Sequence, residues 1–127
     1  MAMTISNEAA PEEGRTRSDD EGEMRVTREE ATKSALELLR RRPHGVLGTL
    51  SRTSEGAPFG SVAPYALDRF GAPLVYVAGI AEHTRNLKAD PRVSLLVHDE
   101  VPDGEDIQTC ARLCVMGTAA PVAEAEA

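Results

Sequence analysis

Residues 59–99, FGSVAPYALDRFGAPLVYVAGIAEHTRNLKADPRVSLLVHD, hold in one run the signals from which the fold is read. Two short stretches with β-branched and aromatic residues, FGSVAPYAL (59–67) and PLVYVAG (73–79), flank DRFGAP, which suits a tight hairpin connection. HTRNLKADP, between Gly79 and Pro91, is long enough for about two helical turns in which residues four apart share a face. VSLLVHD (93–99) then returns to strand character. Outward from this run, VLGTLS (46–51) and RLCVMGTA (112–119) are further short strands bounded by Gly, Pro or Asp. Five short strands interrupted by one short helix predict a mainly β fold, an antiparallel barrel with Greek-key features rather than a doubly wound sheet. Gly48, Gly60 and Gly117 lie inside these strands and indicate bulges or the close approach of another group to the backbone.

Upstream the period is helical. TREE (27–30) fits a capping box, the Thr27 hydroxyl accepting from the N–H three residues on and Glu30 reaching back. Ala31, Ala35, Leu38 and Leu39 form one apolar stripe. Arg40, Arg41 and Arg42 suit the negative end of the helix dipole, and Pro43 with Gly45 stops the helix. The triple arginine could instead face an anion.

The chain has 127 residues and a formal net charge of −7, within the range of one domain. Glu8, Glu12, Glu13, Asp19, Asp20, Glu21 and Glu23 stand against Arg15 and Arg17 in residues 1–24. With almost no large apolar side chain to offset its ordering entropy, that stretch is expected to be a disordered acidic leader, and residues 25–127 the folded domain. No basic patch points to nucleic acid. No apolar run is long enough for a membrane span, and the N-terminus lacks the basic and apolar regions of a signal peptide, so a cytoplasmic location is expected. Cys110 and Cys114, if both in one strand, would stand roughly 13 Å apart, too far for a disulfide or a shared metal. His98, beside Asp99 at a strand end, could serve as a ligand, although a lone histidine beside a turn is usually structural, and His44 between Pro43 and Gly45 reads as turn chemistry. No nucleophile, base and orienting group occur together, so no catalytic residue is named. Thr84, Arg85 and Lys88 supply a hydroxyl, a guanidinium and an ammonium near a helix start, a donor set that suits a phosphate. A solvated connector helix would show the same pattern.

GVLGTLS, GAPFGSVAPYALDRFGAPLVYVAGIAEHTRNLKADPRVSLLV and ARLCVMGTA, within about residues 28–122, resemble the pyridoxamine 5′-phosphate oxidase-like, FMN-binding split-barrel superfamily, nearest its haem-utilisation (HugZ-like) branch. The resemblance implies a split β-barrel that binds FMN, or alternatively haem. It places Ser61 and Val62 on the flavin-ring side and His83, Thr84 and Arg85 on the phosphate side. It further implies a flavin-dependent oxidoreductase acting on a small molecule, with a haem-binding protein or a non-catalytic interaction domain as alternatives. A homodimer with the cofactor site at the subunit boundary is expected. His83 stands where many flavin-binding relatives carry a lysine, and a neutral imidazole is a weaker phosphate partner than a fixed cation. The C-terminal arginine and histidine pattern of a true pyridoxamine phosphate oxidase is not found. GTAAPVAEAEA (117–127) stops where relatives continue into a further helix and strand, so a C-terminally short barrel with an exposed edge is expected.

Overall fold

A computed structural model of the chain describes residues 1–7 and 26–123. Six strands, β1 (Ala2–Ser6), β2 (His44–Leu50), β3 (Pro58–Leu67), β4 (Pro73–Tyr76), β5 (Arg92–His98) and β6 (Arg112–Val122), close into one barrel. Helix α1 (Arg28–Arg41) precedes β2, α2 (Glu82–Ala89) joins β4 to β5, and a 3-10 turn at Ile107–Thr109 precedes β6. The order around the barrel is β1-β4-β3-β2-β5-β6, with every neighbouring pair antiparallel. β2, β3 and β4 form a meander, and the connection through α2 returns β5 to lie beside β2, which is the Greek-key step expected from the strand pattern.

The hairpin between β3 and β4 follows from one side chain. Asp68 Oδ1 accepts from the N–H groups of Phe70 and Ala72, and Gly71 takes the left-handed φ of 85° that closes the turn. Along the strands the side chains alternate. Leu47, Ala63, Tyr65, Val75, Leu95, Val97 and Ala119 fill the interior, joined by Leu38 and Leu39 of α1 and by Leu87 of α2.

Helix α1 begins with the N-cap half of the expected capping box, Thr27 Oγ1 accepting from Glu30 N–H at 3.0 Å. Its far end is pinned to the barrel by Tyr65, whose buried hydroxyl donates to the Leu39 carbonyl at 2.7 Å. Burial raises the Tyr65 pKa above 10, so the phenol stays a donor. Arg41 grips Asp99 with two hydrogen bonds of 2.9 and 2.6 Å, and Arg42 approaches Glu100 at 3.9 Å. Two of the three arginines thus face the chain's own carboxylates. The hydrogen bonds from Arg41 hold the Asp99 carboxyl below its ordinary range.

The N-terminus departs from expectation. Residues 1–24 are expected to be a disordered leader, yet Ala2–Ser6 form a barrel strand between β4 and β6. The physical reason is the alternation in AMTIS, which turns Met3 and Ile5 into the core; residues 8–24 lie outside the described residues. The same strand corrects the expected open edge, because β1 pairs on both sides and closes the barrel. Among the described residues no helix is long and apolar enough to cross a membrane.

Tyr65→Phe keeps the ring in the core but leaves the Leu39 carbonyl without its buried donor. It should lower stability by about 1–2 kcal/mol in urea denaturation, with far-UV circular dichroism unchanged. An unchanged midpoint would remove the hydroxyl from the attachment of α1.

Candidate functional site

Helix α2 lies at the barrel end opposite Tyr65 and α1. It has no side-chain N-cap, and inward-facing polar groups hold it instead. Asn86 is fully buried; its Oδ1 accepts from Arg52 N–H at 3.1 Å and its Nδ2 donates to Thr49 Oγ1 at 3.0 Å. One amide therefore ties the helix both to β2 and to the loop that follows it. Thr84, also fully buried, donates its hydroxyl to the Ala78 carbonyl, fixing the turn that leads into the helix. Leu87 completes the anchor in the core. A partly exposed ion pair, Arg52 to Glu82 at 3.5 Å, spans the same gap.

His83 is the member of this helix whose chemistry is unspent. Its Nδ1 lies 2.7 Å from Ser61 Oγ on β3, while Nε2 is enclosed and has no hydrogen-bond partner. Burial lowers its pKa below the ordinary 6.5, so the ring is neutral at pH 7. If Nδ1–H donates to Ser61, Nε2 presents a lone pair; in the other tautomer Nε2 presents a proton.

A second feature lies on the outer face of the sheet. Cross-strand register sets Gly60, Gly48, Ser94 and Met116 side by side across β3, β2, β5 and β6. They floor a hollow of about 570 Å³, with Leu50 and Pro58 at its wall. At Gly48 a Cβ would meet Ser94 Oγ, so a larger residue there would have to turn the Ser94 side chain away. The next row, Val62, Val46, Leu96 and Cys114, is exposed. Val62 and Met116 are each 66% exposed, so this face carries a continuous apolar stripe.

Of the five residues expected to line a cofactor, the structure brings together Ser61 and His83. Val62 points to the opposite side of β3 from Ser61, as strand alternation requires, and stands on the outer stripe. Thr84 does not fit the expected role, because its hydroxyl faces inward and is committed to Ala78. Arg85 is exposed, without an ion-pair partner among the described residues, and two positions from His83 on the helix it faces another way. The anchoring part of Asn86 and the outer hollow were missed in the sequence. Glycines inside strands were the available signal for the hollow, but only register aligns them. Among the described residues no cluster of three potential metal ligands occurs.

Residues 31–127 match the sequence profile of the pyridoxamine 5′-phosphate oxidase family. The chain belongs to that family. This pyridoxamine 5′-phosphate oxidase-family barrel is 40% identical over 80 residues to the non-canonical heme oxygenase HOZ, chloroplastic, of Arabidopsis thaliana, covering 63% of the chain and 24% of HOZ. A heme-binding protein from Mycobacterium smegmatis is 33% identical, with a TM-score of 0.66 over 79% of this chain and 40% of that one. The heme storage protein HutZ from Vibrio cholerae is 25% identical, with a TM-score of 0.59 over 78% of this chain and 66% of that one. The chain thus spans about a quarter of the plant relative and two fifths to two thirds of these two bacterial ones.

Two outcomes test the site. Asn86→Ala deletes both tethers and leaves the Arg52 N–H unpaired, so it should cost about 2–3 kcal/mol in chemical denaturation. For His83, the unfolded chain binds more protons than the folded one between the lowered pKa and 6.5, so this residue makes stability fall as pH drops through that window. The loss of Tm between pH 7 and pH 5 should therefore be smaller in His83→Gln than in the wild type; equal losses would contradict the buried, neutral imidazole.

Proposed function

We propose that this chain is the haem-binding split-barrel unit of a haem-utilising protein. The observation that carries the reading is the enclosed, unpartnered Nε2 of His83, oriented by Ser61 and held neutral by burial. A neutral imidazole suits a haem, as ligand or as hydrogen-bonding neighbour, better than it suits a phosphate dianion. Haem supplies one-electron and oxygen chemistry when bound; the protein's part is to orient His83 through Ser61 and to hold α2 rigid through Asn86. The names of the plant, mycobacterial and Vibrio relatives support this reading.

FMN with oxidoreductase activity is the second reading, favoured by the family and by the exposed guanidinium of Arg85, which is free for a phosphate. Against it stand the inward-turned hydroxyl of Thr84 and the divergence of His83 and Arg85 around the helix. We further propose a homodimer in which a second copy covers the stripe of Val46, Val62, Leu96 and Met116.

Titration of the full chain with hemin should produce a shifted Soret band, and His83→Ala should weaken binding about tenfold or more, equivalent to roughly 1.4 kcal/mol. FMN titrated in parallel decides the alternative. Flavin binding that falls about 10- to 150-fold in Arg85→Ala, with riboflavin indifferent to the change, would replace haem by FMN. If neither ligand binds and the chain forms a stable dimer, the third reading, a non-catalytic interaction domain, is supported.

A further inference from the structure

The place of β1 in the barrel differs in kind from that of the other strands. β2, β3 and β4 are joined by short connections, and β5 and β6 are consecutive. β1 sits between β4 and β6, both distant in sequence, and reaches α1 only through residues 7–27. Such a connector can extend to about 70 Å, enough to reach a neighbouring barrel as readily as its own.

The seat of β1 is built for a strand. Met3 pairs with Val75 on one side and Pro121 on the other, Thr4 pairs with Leu74 and Ala120, and Met3 and Ile5 are buried in the core. Val77 N–H extends the ladder to the Met1 carbonyl at 3.0 Å. At the far end, β6 carries Gly117 where any Cβ would collide with the Ser6 carbonyl, so β6 leaves space for the backbone of β1. Without β1, the barrel would present two unpaired edges, β4 and β6, and would uncover Val75 and Ala119. β1 closes against two strands more distant in sequence than any other paired strands of the barrel, so its pairings carry the largest loop-closure cost.

We propose that β1 is exchanged between two copies of the chain, the β4–β6 seat of each barrel being filled by Ala2–Ser6 of the other. Every hydrogen bond and apolar contact of β1 is reproduced in the exchanged form, because the donor strand has the same sequence. The apolar stripe on β2, β3, β5 and β6 holds the two barrels together while their N-terminal strands close. In a dimer the effective concentration of the partner's β1 is comparable with that of the chain's own. The inference therefore rests on the dimer reading above, but it concerns a different surface.

The test uses the full chain with Cys110→Ser and Cys114→Ser as background. Thr4 and Ala120 are register partners, and opposed residues in an antiparallel pair lie about 4.5–5.5 Å apart at Cα, within disulfide reach. One protein carries Thr4→Cys and an isotope-labelled second carries Ala120→Cys; the two are unfolded together, refolded together and oxidised. Exchange predicts a mixed disulfide between the two proteins, about tenfold above an out-of-register pair of Thr4→Cys with Thr53→Cys, and lost to a similar extent when Gly117→Val is added to the Ala120→Cys protein. Circular dichroism confirms that each variant folds.

Sedimentation of the same samples separates the two ideas. A dimer without the mixed disulfide, in which the double variant Thr4→Cys/Ala120→Cys closes only within one chain, overturns exchange and leaves the dimer standing. A monomer without it overturns both. A mixed disulfide that persists after the stripe is blocked by Leu96→Glu supports exchange and removes the stripe as the surface that holds the copies.

Discussion

Closure is the constraint on which the rest of this molecule depends. A sheet of six strands that closes on itself leaves no edge, and its bore is filled by side chains. Leu47, Val75, Leu95 and Val97 are fully buried across it. A ligand the size of a tetrapyrrole or a flavin therefore has no place inside, and the chemistry of the protein is confined to the outside of the sheet and to the helix at its end. Both helices act as plugs. α1 is held through Tyr65 to the Leu39 carbonyl, and α2 through Asn86 to Thr49 and Arg52.

Within α2 the polar residues divide by direction. Thr84 looks like a ligand donor in the sequence, but it turns inward with Asn86 and serves the fold. Satisfying a buried amide with two partners avoids the penalty of an orphaned polar group, and it fixes the helix closely enough for the neighbouring His83 to meet Ser61. Arg85 and Lys88, pointing elsewhere on the same helix, remain in solvent. The crowd of donors before β5 is thus two sets interleaved by the helical period, one structural and one available.

The outer face follows from the same alternation that fills the core. Each strand that sends Leu47 or Leu95 inward sends Val46 or Leu96 outward. Exposed apolar rows beside a hollow floored by Gly60, Gly48 and Ser94 are unusual for a surface meant to face water.

Much of the fold was legible in the sequence because its signals are local. The Thr27 cap, the Asp68–Gly71 hairpin turn, the strands on either side of it and the short helix before Pro91 each depend on residues a few positions apart. β1 was not legible: AMTIS is too short to be distinguished from the acidic segment that follows, and its burial exists only once β4 and β6 stand on either side. The site divided the same way. Its residue types could be read from EHTRN, whereas which side chains turn inward, which two meet across β3 and α2, and which glycines align into one floor were decided by tertiary packing. Direction and register are properties of paired elements, and no single element carries them in its own sequence.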